Sequence, residues 1–197
     1  MDGNANNGIL IGVVSDLDDP EGIGRVQVKY PYRADQQSGW ARVLSPMAGK
    51  GRGLFMRPEV GDEVLVGHEQ GDPRRPYILG AVWSSSDQPP PDLGDQRQNN
   101  VRVIQSRSGH RVVLDDTSGA ERIAIVDKDG SRKLVIDSAG NSIQITCQTT
   151  GDISLSAPAG TVSISAQTIS LSATTEIKIE AGASLTLTGA TIGINDP

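Results

Sequence analysis

The second half of the chain is a short-period repeat, and this repeat limits the possible folds more than any other feature. Apolar residues two positions apart recur at spacings that fall from eleven residues to seven or eight, with polar or small residues between them. Such alternation places each apolar pair on one face of a strand and Ser, Thr, Gln or Lys on the other. The ten pairs are Val112/Leu114, Ile123/Ile125, Leu134/Ile136, Ile143/Ile145, Ile153/Leu155, Val162/Ile164, Ile169/Leu171, Ile177/Ile179, Leu185/Leu187 and Ile192/Ile194.

The length of the repeat unit predicts how many chains build the fold. A unit of seven or eight residues supplies one strand and one corner, whereas a single-chain solenoid needs roughly 20 residues or more to close one coil. Three intertwined chains can close each coil with one strand apiece, and their aliphatic side chains then fill a narrow triangular core. At about 4.8 Å between strands, ten strands on each face predict a stiff rod about 50 Å long.

The first part of the chain has a different composition. All six aromatic residues lie within the first 83 positions, and turn residues separate short alternating segments there. These segments predict five strands, at 9–14, 25–30, 40–44, 63–68 and 77–83, which suit a small closed or partly open barrel. A polar, proline-rich stretch follows at 84–91. The sequence therefore predicts an all-β chain with a barrel over 1–84, a linker over 85–100 and the repeat over 101–197.

Charge and cysteine content exclude several functions. The chain has 18 Lys and Arg against 24 Asp and Glu, for a net charge of -6, and Lys178 is the only basic residue beyond Lys133. A groove for nucleic acid along the rod is therefore not expected. Cys147 is the only cysteine, which excludes a disulfide within the chain and a cysteine-based zinc site. Cys147 is in phase with Ile143 and Ile145, so we expect it in the core as a small apolar residue.

The barrel segment carries a signature that resembles a known family. It consists of Gly-Asp-Glu-Val-Leu-Val at 61–66, Gly-Asp-Pro-Arg-Arg-Pro-Tyr-Ile-Leu-Gly-Ala-Val-Trp at 71–83, Gly-Trp-Ala-Arg-Val at 39–43 and Ala-Gly-Lys-Gly at 48–51. With the repeat behind them, these segments resemble the central spike proteins of contractile injection machines. That family includes the phage baseplate assembly protein V proteins and the VgrG spikes of type VI secretion. The resemblance implies an oligonucleotide/oligosaccharide-binding (OB) barrel, acting as an assembly module, followed by an intertwined trimeric triangular β-helix.

The same resemblance implies partners and a location. The barrel would sit on a trimeric hub protein; since no hub domain precedes the barrel in this sequence, we expect the hub to be a separate chain or a segment removed from this one. Some relatives end in an iron-binding His-x-His apex, but the two histidines here are His68 and His110. A blunt end that receives a separate PAAR-type tip protein is therefore expected, with transient contact to the target membrane. The expected location is a virion tail baseplate or a secreted injection particle, assembled in the bacterial cytoplasm.

Several groups of polar residues were weighed as chemical sites. His68, Glu69 and Asp72 could hold a metal or act as acid and base, but no third ligand is fixed by their spacing, so a solvated loop is expected. The acidic segment 16–21 lacks the order of an EF-hand loop and is expected to be a polar turn. The segment 127–130 is likewise expected to be a turn between repeat strands.

Two basic segments, at 49–53 and 74–75, lie between the predicted strands of the barrel. The segment 49–53 lacks the Gly-Lys-Ser/Thr pattern of a phosphate loop and a following helix, so a mobile loop is expected. Arg74 and Arg75 could either pair with acidic groups on the hub or remain solvated surface residues.

The sequence as a whole predicts a non-enzymatic structural protein without cofactor, metal or catalytic residues. Its function is that of a homotrimeric spike which caps the hub and pierces the target envelope when the sheath contracts. The alternative functions are a β-rod adhesin or carbohydrate-binding module and a cell-wall lyase, which the lack of aromatic and clustered acidic residues in the repeat disfavours. The predicted trimer core consists of Ile143, Ile145, Ile153, Leu155, Val162, Ile164, Ile169, Leu171, Ile177, Ile179, Leu185, Leu187, Ile192 and Ile194.

Overall fold

A computed structural model of the chain describes residues 8–91, 93–148 and 150–193. The regular elements of these residues are strands, apart from two short 3-10 turns at Pro31–Arg33 and Glu69–Gly71. The strands are β1 (Leu10–Asp16), β2 (Gln27–Tyr30), β3 (Gln36–Gln37), β4 (Arg42–Val43), β5 (Ala48–Gly49), β6 (Arg52–Gly53), β7 (Glu63–His68), β8 (Pro76–Ala81), β9 (Val101–Gln105), β10 (Arg111–Asp115), β11 (Arg122–Val126), β12 (Arg132–Asp137) and β13 (Ser142–Cys147).

The first six-stranded sheet closes on itself as a barrel. Its strand order is β3-β2-β1-β7-β8-β4, with antiparallel pairing except between β4 and β8. The amide of Val26 donates to the carbonyl of Ala41 at 3.0 Å, and the amide of Ala41 donates back at 2.8 Å. This pair joins the start of β2 to β4, so neither strand leaves an open edge there.

The barrel core follows from the alternation in the sequence. Val64 and Val66 in β7 face inward together with alternate residues of β1, β2 and β8, and a β-branched side chain suits this pleated surface. The five predicted strands are confirmed, with small shifts at their ends. The fully enclosed core is Val14, Val26, Val28, Tyr30, Ala41, Val64, Val66 and Ile78.

The short segment 49–53 differs from its prediction as a loop. It forms the hairpin β5–β6, in which Ala48 pairs with Gly53 and Gly49 with Arg52. Ser45 fixes the base of the hairpin, because its hydroxyl lies within hydrogen-bond distance of two carbonyls, that of Met47 at 2.9 Å and that of Leu54 at 2.6 Å.

The second sheet, in the order β13-β12-β11-β10-β9, is an antiparallel meander within one chain. Polar turns join its strands. Asp127 shows how: its side chain accepts the amide hydrogens of Ser131 at 3.0 Å and Arg132 at 3.2 Å, while Gly130 has a φ of 71°. The turn predicted at 127–130 is therefore confirmed.

The meander differs from the expected pattern of one strand per chain at each level. Over 101–147, each strand takes its neighbours from its own chain. The spacing in this part allows such pairing, because nine to eleven residues hold a strand of five or six residues and a hairpin turn. From Val162 onward the period shrinks to seven or eight residues, which leaves little room for a hairpin. Residues 151–193 contain no helix or strand, and all of them are exposed.

The chain divides into two compact units, one that ends at Thr146 and one that begins at Cys147. The predicted linker, as far as it is described, is irregular and lies within the first unit. An ion pair between Arg107 and Glu59, at 3.0 Å, joins the turn after β9 to the barrel segment.

A candidate assembly interface along the repeat

The meander has one face of large aliphatic side chains. Cross-strand pairing aligns them in two rows, because residues opposite each other in neighbouring strands share a face. Most of these side chains remain exposed, with exposed fractions of 38–56% for those other than Leu134. One row is Ile104, Val112, Ile125 and Leu134, and the other contains Leu114, Ile123 and Ile136.

The opposite face of the meander is less exposed and differs in composition, because it combines smaller apolar residues with charged ones. Its central row is small, with Val103, Val113, Ala124 and Val135 paired across the sheet, and charged residues lie beside this row. Asp115 illustrates the charged positions: hydrogen bonds from Thr117 lower the pKa of its carboxyl, and Arg122, at 3.4 Å, adds to this effect. The two faces therefore differ, and the aliphatic face is the one that lacks a cover.

The same aliphatic pattern continues through β13 and the segment beyond it. The predicted core residues from Ile143 to Ile192 have exposed fractions of 52–73%, whereas a core residue is normally enclosed. Ile194 lies outside the described residues. Cys147 is a half-buried free thiol at the end of β13.

Backbone pairing is also incomplete beyond β13. Residues 151–193 take part in no described sheet, and a local turn bond, from the amide of Gly160 to the carbonyl of Ala157 at 3.1 Å, does not link strands. By pairing with another chain, a β-forming sequence of this kind can form the missing backbone hydrogen bonds and remove its aliphatic side chains from water. This surface, which we call the repeat face, is the candidate interface.

The residues weighed as a metal or acid-base site are held apart by separate partners. The hydroxyl of Tyr30 lies 3.3 Å from Nε2 of His68, and burial lowers the pKa of His68, with the charge of Arg33 adding to this effect. Nδ1 of His68 is buried and makes no hydrogen bond. Glu69 accepts hydrogen bonds from Arg75 at 3.3 Å and from the Tyr77 hydroxyl at 3.2 Å.

Arg74 and Arg75, for which a hub contact was considered, both have acidic partners in their own chain. Arg74 binds Asp72 through Nε at 3.0 Å and Nη2 at 2.8 Å, and its hydrogen bonds lower the pKa of Asp72 to about 2. Arg75 pairs with Glu69, as described above. These pairs hold the loop that links β7 to β8.

The acidic segment 16–21 is organised by a single carboxylate. Asp19 accepts hydrogen bonds from the amides of Glu21, Ile23 and Arg25 at 3.0–3.1 Å, and from two guanidinium nitrogens of Arg25 at 3.0 and 2.7 Å. The Arg25 side chain is the main reason why the pKa of Asp19 lies well below its usual range. This arrangement explains the segment as a structured turn.

The described residues offer neither a metal-binding cluster nor a membrane-spanning helix. They contain no group of three or more His, Cys, Asp or Glu residues placed to hold a metal ion. They also contain no helix that is long and apolar enough to cross a membrane.

Comparison with known proteins relates both parts of the chain to injection machines. Residues 10–83 match the family described as the Type VI secretion system/phage-baseplate injector OB domain. The type VI secretion system spike protein VgrG1a of Pseudomonas aeruginosa is 30% identical over 131 residues, which are 61% of this chain and 20% of that protein. The spike protein VgrG3 of Vibrio cholerae is 29% identical over 113 residues, 53% of this chain and 11% of that protein.

A third relative carries an enzymatic name. The actin cross-linking toxin VgrG1 of Vibrio cholerae is 30% identical over 108 residues, 51% of this chain and 10% of that protein. The chain thus spans about a fifth or less of the length of these relatives. The similarity to VgrG-type spikes and the identity of the OB domain, both predicted from the residues at 39–83, are confirmed.

Proposed function

We propose that this chain, whose residues 10–83 form an injector OB domain of the type VI secretion and phage-baseplate family, is one subunit of a homotrimeric central spike. The observation that carries the proposal is the exposure of large aliphatic side chains in the single chain, both on one face of the meander and, separately, in residues 151–193. Three copies would turn these side chains towards a common axis and remove them from water.

Threefold assembly fits the period of the repeat. Each repeat unit beyond Cys147 has the length of one short strand and one corner, and residues 151–193 pair with no strand of their own chain. In the proposed rod the adjacent strands would therefore come from other chains. A triangular cross-section of three such strands has room for aliphatic side chains and none for aromatic ones, in agreement with the absence of aromatic residues after Trp83. The meander of 101–147 would contribute one pre-formed sheet from each chain.

The mechanism of a spike is mechanical. Interchain strand pairing and a continuous aliphatic core make the rod stiff, and sheath contraction would then concentrate force on a small area of the target envelope. The polar Ser and Thr face of the repeat has few charges or large apolar groups, which limits adhesion as the rod passes through the envelope.

The remaining features of the role belong to the same proposal. A trimeric hub protein would bind the barrel end, a PAAR-type tip protein would close the far end, and contact with the target membrane would be transient. The particle would be a phage tail or a related injection system, assembled in the cytoplasm. The chain itself would act without catalysis, cofactor or nucleic acid.

The experiment introduces two matched variants into the strain that produces the particle. Ile164→Asp places a carboxylate on the repeat face, and Ser165→Asp places the same charge on the adjacent, opposite face. We expect Ile164→Asp to abolish delivery into target cells and Ser165→Asp to retain it. A particle that delivers normally with the Ile164→Asp chain would refute the proposal.

A further inference from the structure

The barrel carries a second apolar surface, which is distinct from the repeat face. Six exposed large apolar side chains line a single groove of about 520 Å³ beside the β5–β6 hairpin. Isolated apolar residues are common on protein surfaces, but clusters of this kind mark binding sites. We call this surface the hairpin groove, and its apolar residues are Ile23, Leu44, Met47, Leu54, Phe55 and Met56.

The aromatic ring in the groove is held in place although it is exposed. Phe55 has an exposed fraction of 76%, and its ring lies against Gly24, where an added Cβ would come within 2.7 Å of the ring. The guanidinium of Arg57 lies 5.8 Å from the centre of the ring, within range of a cation–π interaction. Arg57 is itself anchored by a hydrogen bond of 3.2 Å to the carbonyl of Leu17.

The wall opposite this ring is also fixed. The two bonds from Ser45 and the bond from the Leu54 amide to the Met47 carbonyl, at 2.9 Å, clamp the hairpin stem. The Leu44 amide donates to the carbonyl of Ile78 at 2.9 Å, which ties the stem to the barrel. A surface that is ordered before it binds loses little conformational entropy on binding, so its contacts contribute more fully to affinity.

The charges around the groove identify the chemistry of its occupant. Arg42 and Arg52 line it, and neither makes an ion pair within the described part of the chain. In contrast, Arg25, Arg74 and Arg75 elsewhere on the barrel are paired with carboxylates of the chain. The residues that line the groove include no Asp or Glu. With Arg57, three arginines line the groove, so acidic groups on an occupant would be complementary in charge to it.

We propose that the hairpin groove binds an acidic segment of another protein, which inserts apolar side chains between Met47 and Phe55 and pairs its carboxylates with Arg42 and Arg52. Most of the apolar lining is aliphatic, which suits protein side chains, whereas single-stranded nucleic acid is bound by several aromatic platforms. The proposal concerns one barrel alone and is independent of how many chains form the spike.

The test uses the full chain and an array of short synthetic peptides whose charge and apolar content vary independently. The wild-type chain is expected to select acidic peptides that contain Leu, Ile or Phe. The Arg42→Glu/Arg52→Glu variant is expected to prefer basic peptides of the same apolar content. The control Lys29→Glu/Lys128→Glu variant has the same change in net charge at exposed positions outside the groove, and it should keep the wild-type preference.

A second pair of variants tests the apolar part of the groove. Phe55→Ala should weaken binding of the selected acidic peptide by about tenfold or more, as expected for an interface anchor, and Met56→Ser should also weaken it. Thermal unfolding should be unchanged, because both side chains are exposed.

Several results would overturn the proposal. The first is that the array selects no acidic apolar peptides. The second is that the wild-type and Arg42→Glu/Arg52→Glu chains prefer the same peptides. The third is that the chain binds oligothymidine more tightly than any peptide. A change in the oligomeric mass of the chain caused by Phe55→Ala would also overturn it, since the occupant would then be a second copy.

Discussion

Substitution of Ile164 by Asp is the strongest perturbation of the proposed trimer core. Ile164 has an exposed fraction of 65% in the single chain, so assembly would bury about two thirds of its side chain. Complete burial of an isoleucine contributes about 1.5–3 kcal/mol, which gives roughly 1–2 kcal/mol for each copy on assembly.

The carboxylate adds a larger penalty than the lost isoleucine. An unpaired ion costs several kcal/mol to bury after the protein has relaxed, and three such ions would share one level of the core. The trimer should therefore lose about 10 kcal/mol or more, which corresponds to about seven orders of magnitude in the association constant. At micromolar concentrations in neutral buffer, the Ile164→Asp chain should be a monomer.

Light scattering coupled to size exclusion, repeated over a pH series, measures this effect. Ser165→Asp should retain the wild-type mass, because its carboxylate remains in water. Burial raises the pKa of a carboxyl group, so the trimer fraction of Ile164→Asp should rise as the pH falls and the carboxyl becomes neutral. An Ile164→Asp chain that is a stable trimer at neutral pH, or a Ser165→Asp chain that dissociates instead, would refute the reasoning.

Three further predictions concern the barrel. Ile78→Ala removes an enclosed side chain and should lower the free energy of unfolding by about 2–5 kcal/mol. Leu79→Ala, at a half-exposed position, should lower it much less. Equal losses in a denaturant titration would contradict the core assignment. Burial lowers the pKa of His68, so the folded barrel favours the neutral imidazole, and the free energy of unfolding should fall as the pH drops below about 6.5. That decrease should be absent in His68→Gln, and its persistence there would assign it to another group. The pKa of Asp19 lies below its usual range, so its carboxylate stabilises the folded barrel above about pH 3.9, and this stabilisation is lost as the pH falls. The Asp19→Asn chain should therefore have a lower free energy of unfolding than wild type at pH 7, and the difference should be smaller in strong acid.

Local alternation was sufficient to predict the main strands of the barrel. The pattern at 63–68 predicts β7 with its bounds unchanged, because Val64 and Val66 face the core while their neighbours do not. The strands β3, β5 and β6 were missed because each has only two residues and consists of polar or small residues, whereas the equally short β4 lies in a segment with alternating apolar residues.

The repeat shows a different limit of sequence analysis. Alternation identifies the face of each strand that avoids water, and the two aliphatic rows of the meander agree with the pairs read from the sequence. Alternation does not identify which chain supplies the neighbouring strand, because this depends on whether the turns are long enough for a hairpin within one chain. The intrachain meander over 101–147 was therefore not predicted.

The hairpin groove could not be predicted from sequence for a related reason. Gly24 and Phe55 are distant in sequence, and only barrel closure brings them together. The Gly-Lys-Gly-Arg-Gly segment at 49–53 was recognised as an unusual feature, but its glycines indicated a loop. The ordered stem depends on Ser45, whose hydroxyl bonds join backbone positions on both sides of that segment.

The mass of the unmodified full-length chain in solution tests the central claim most directly. Size exclusion coupled to light scattering should give three times the subunit mass of 20.7 kDa, unchanged on dilution through the micromolar range. A folded chain with the mass of one subunit would contradict the account, because the exposed aliphatic side chains of the meander and of residues 151–193 would then remain in water without a partner.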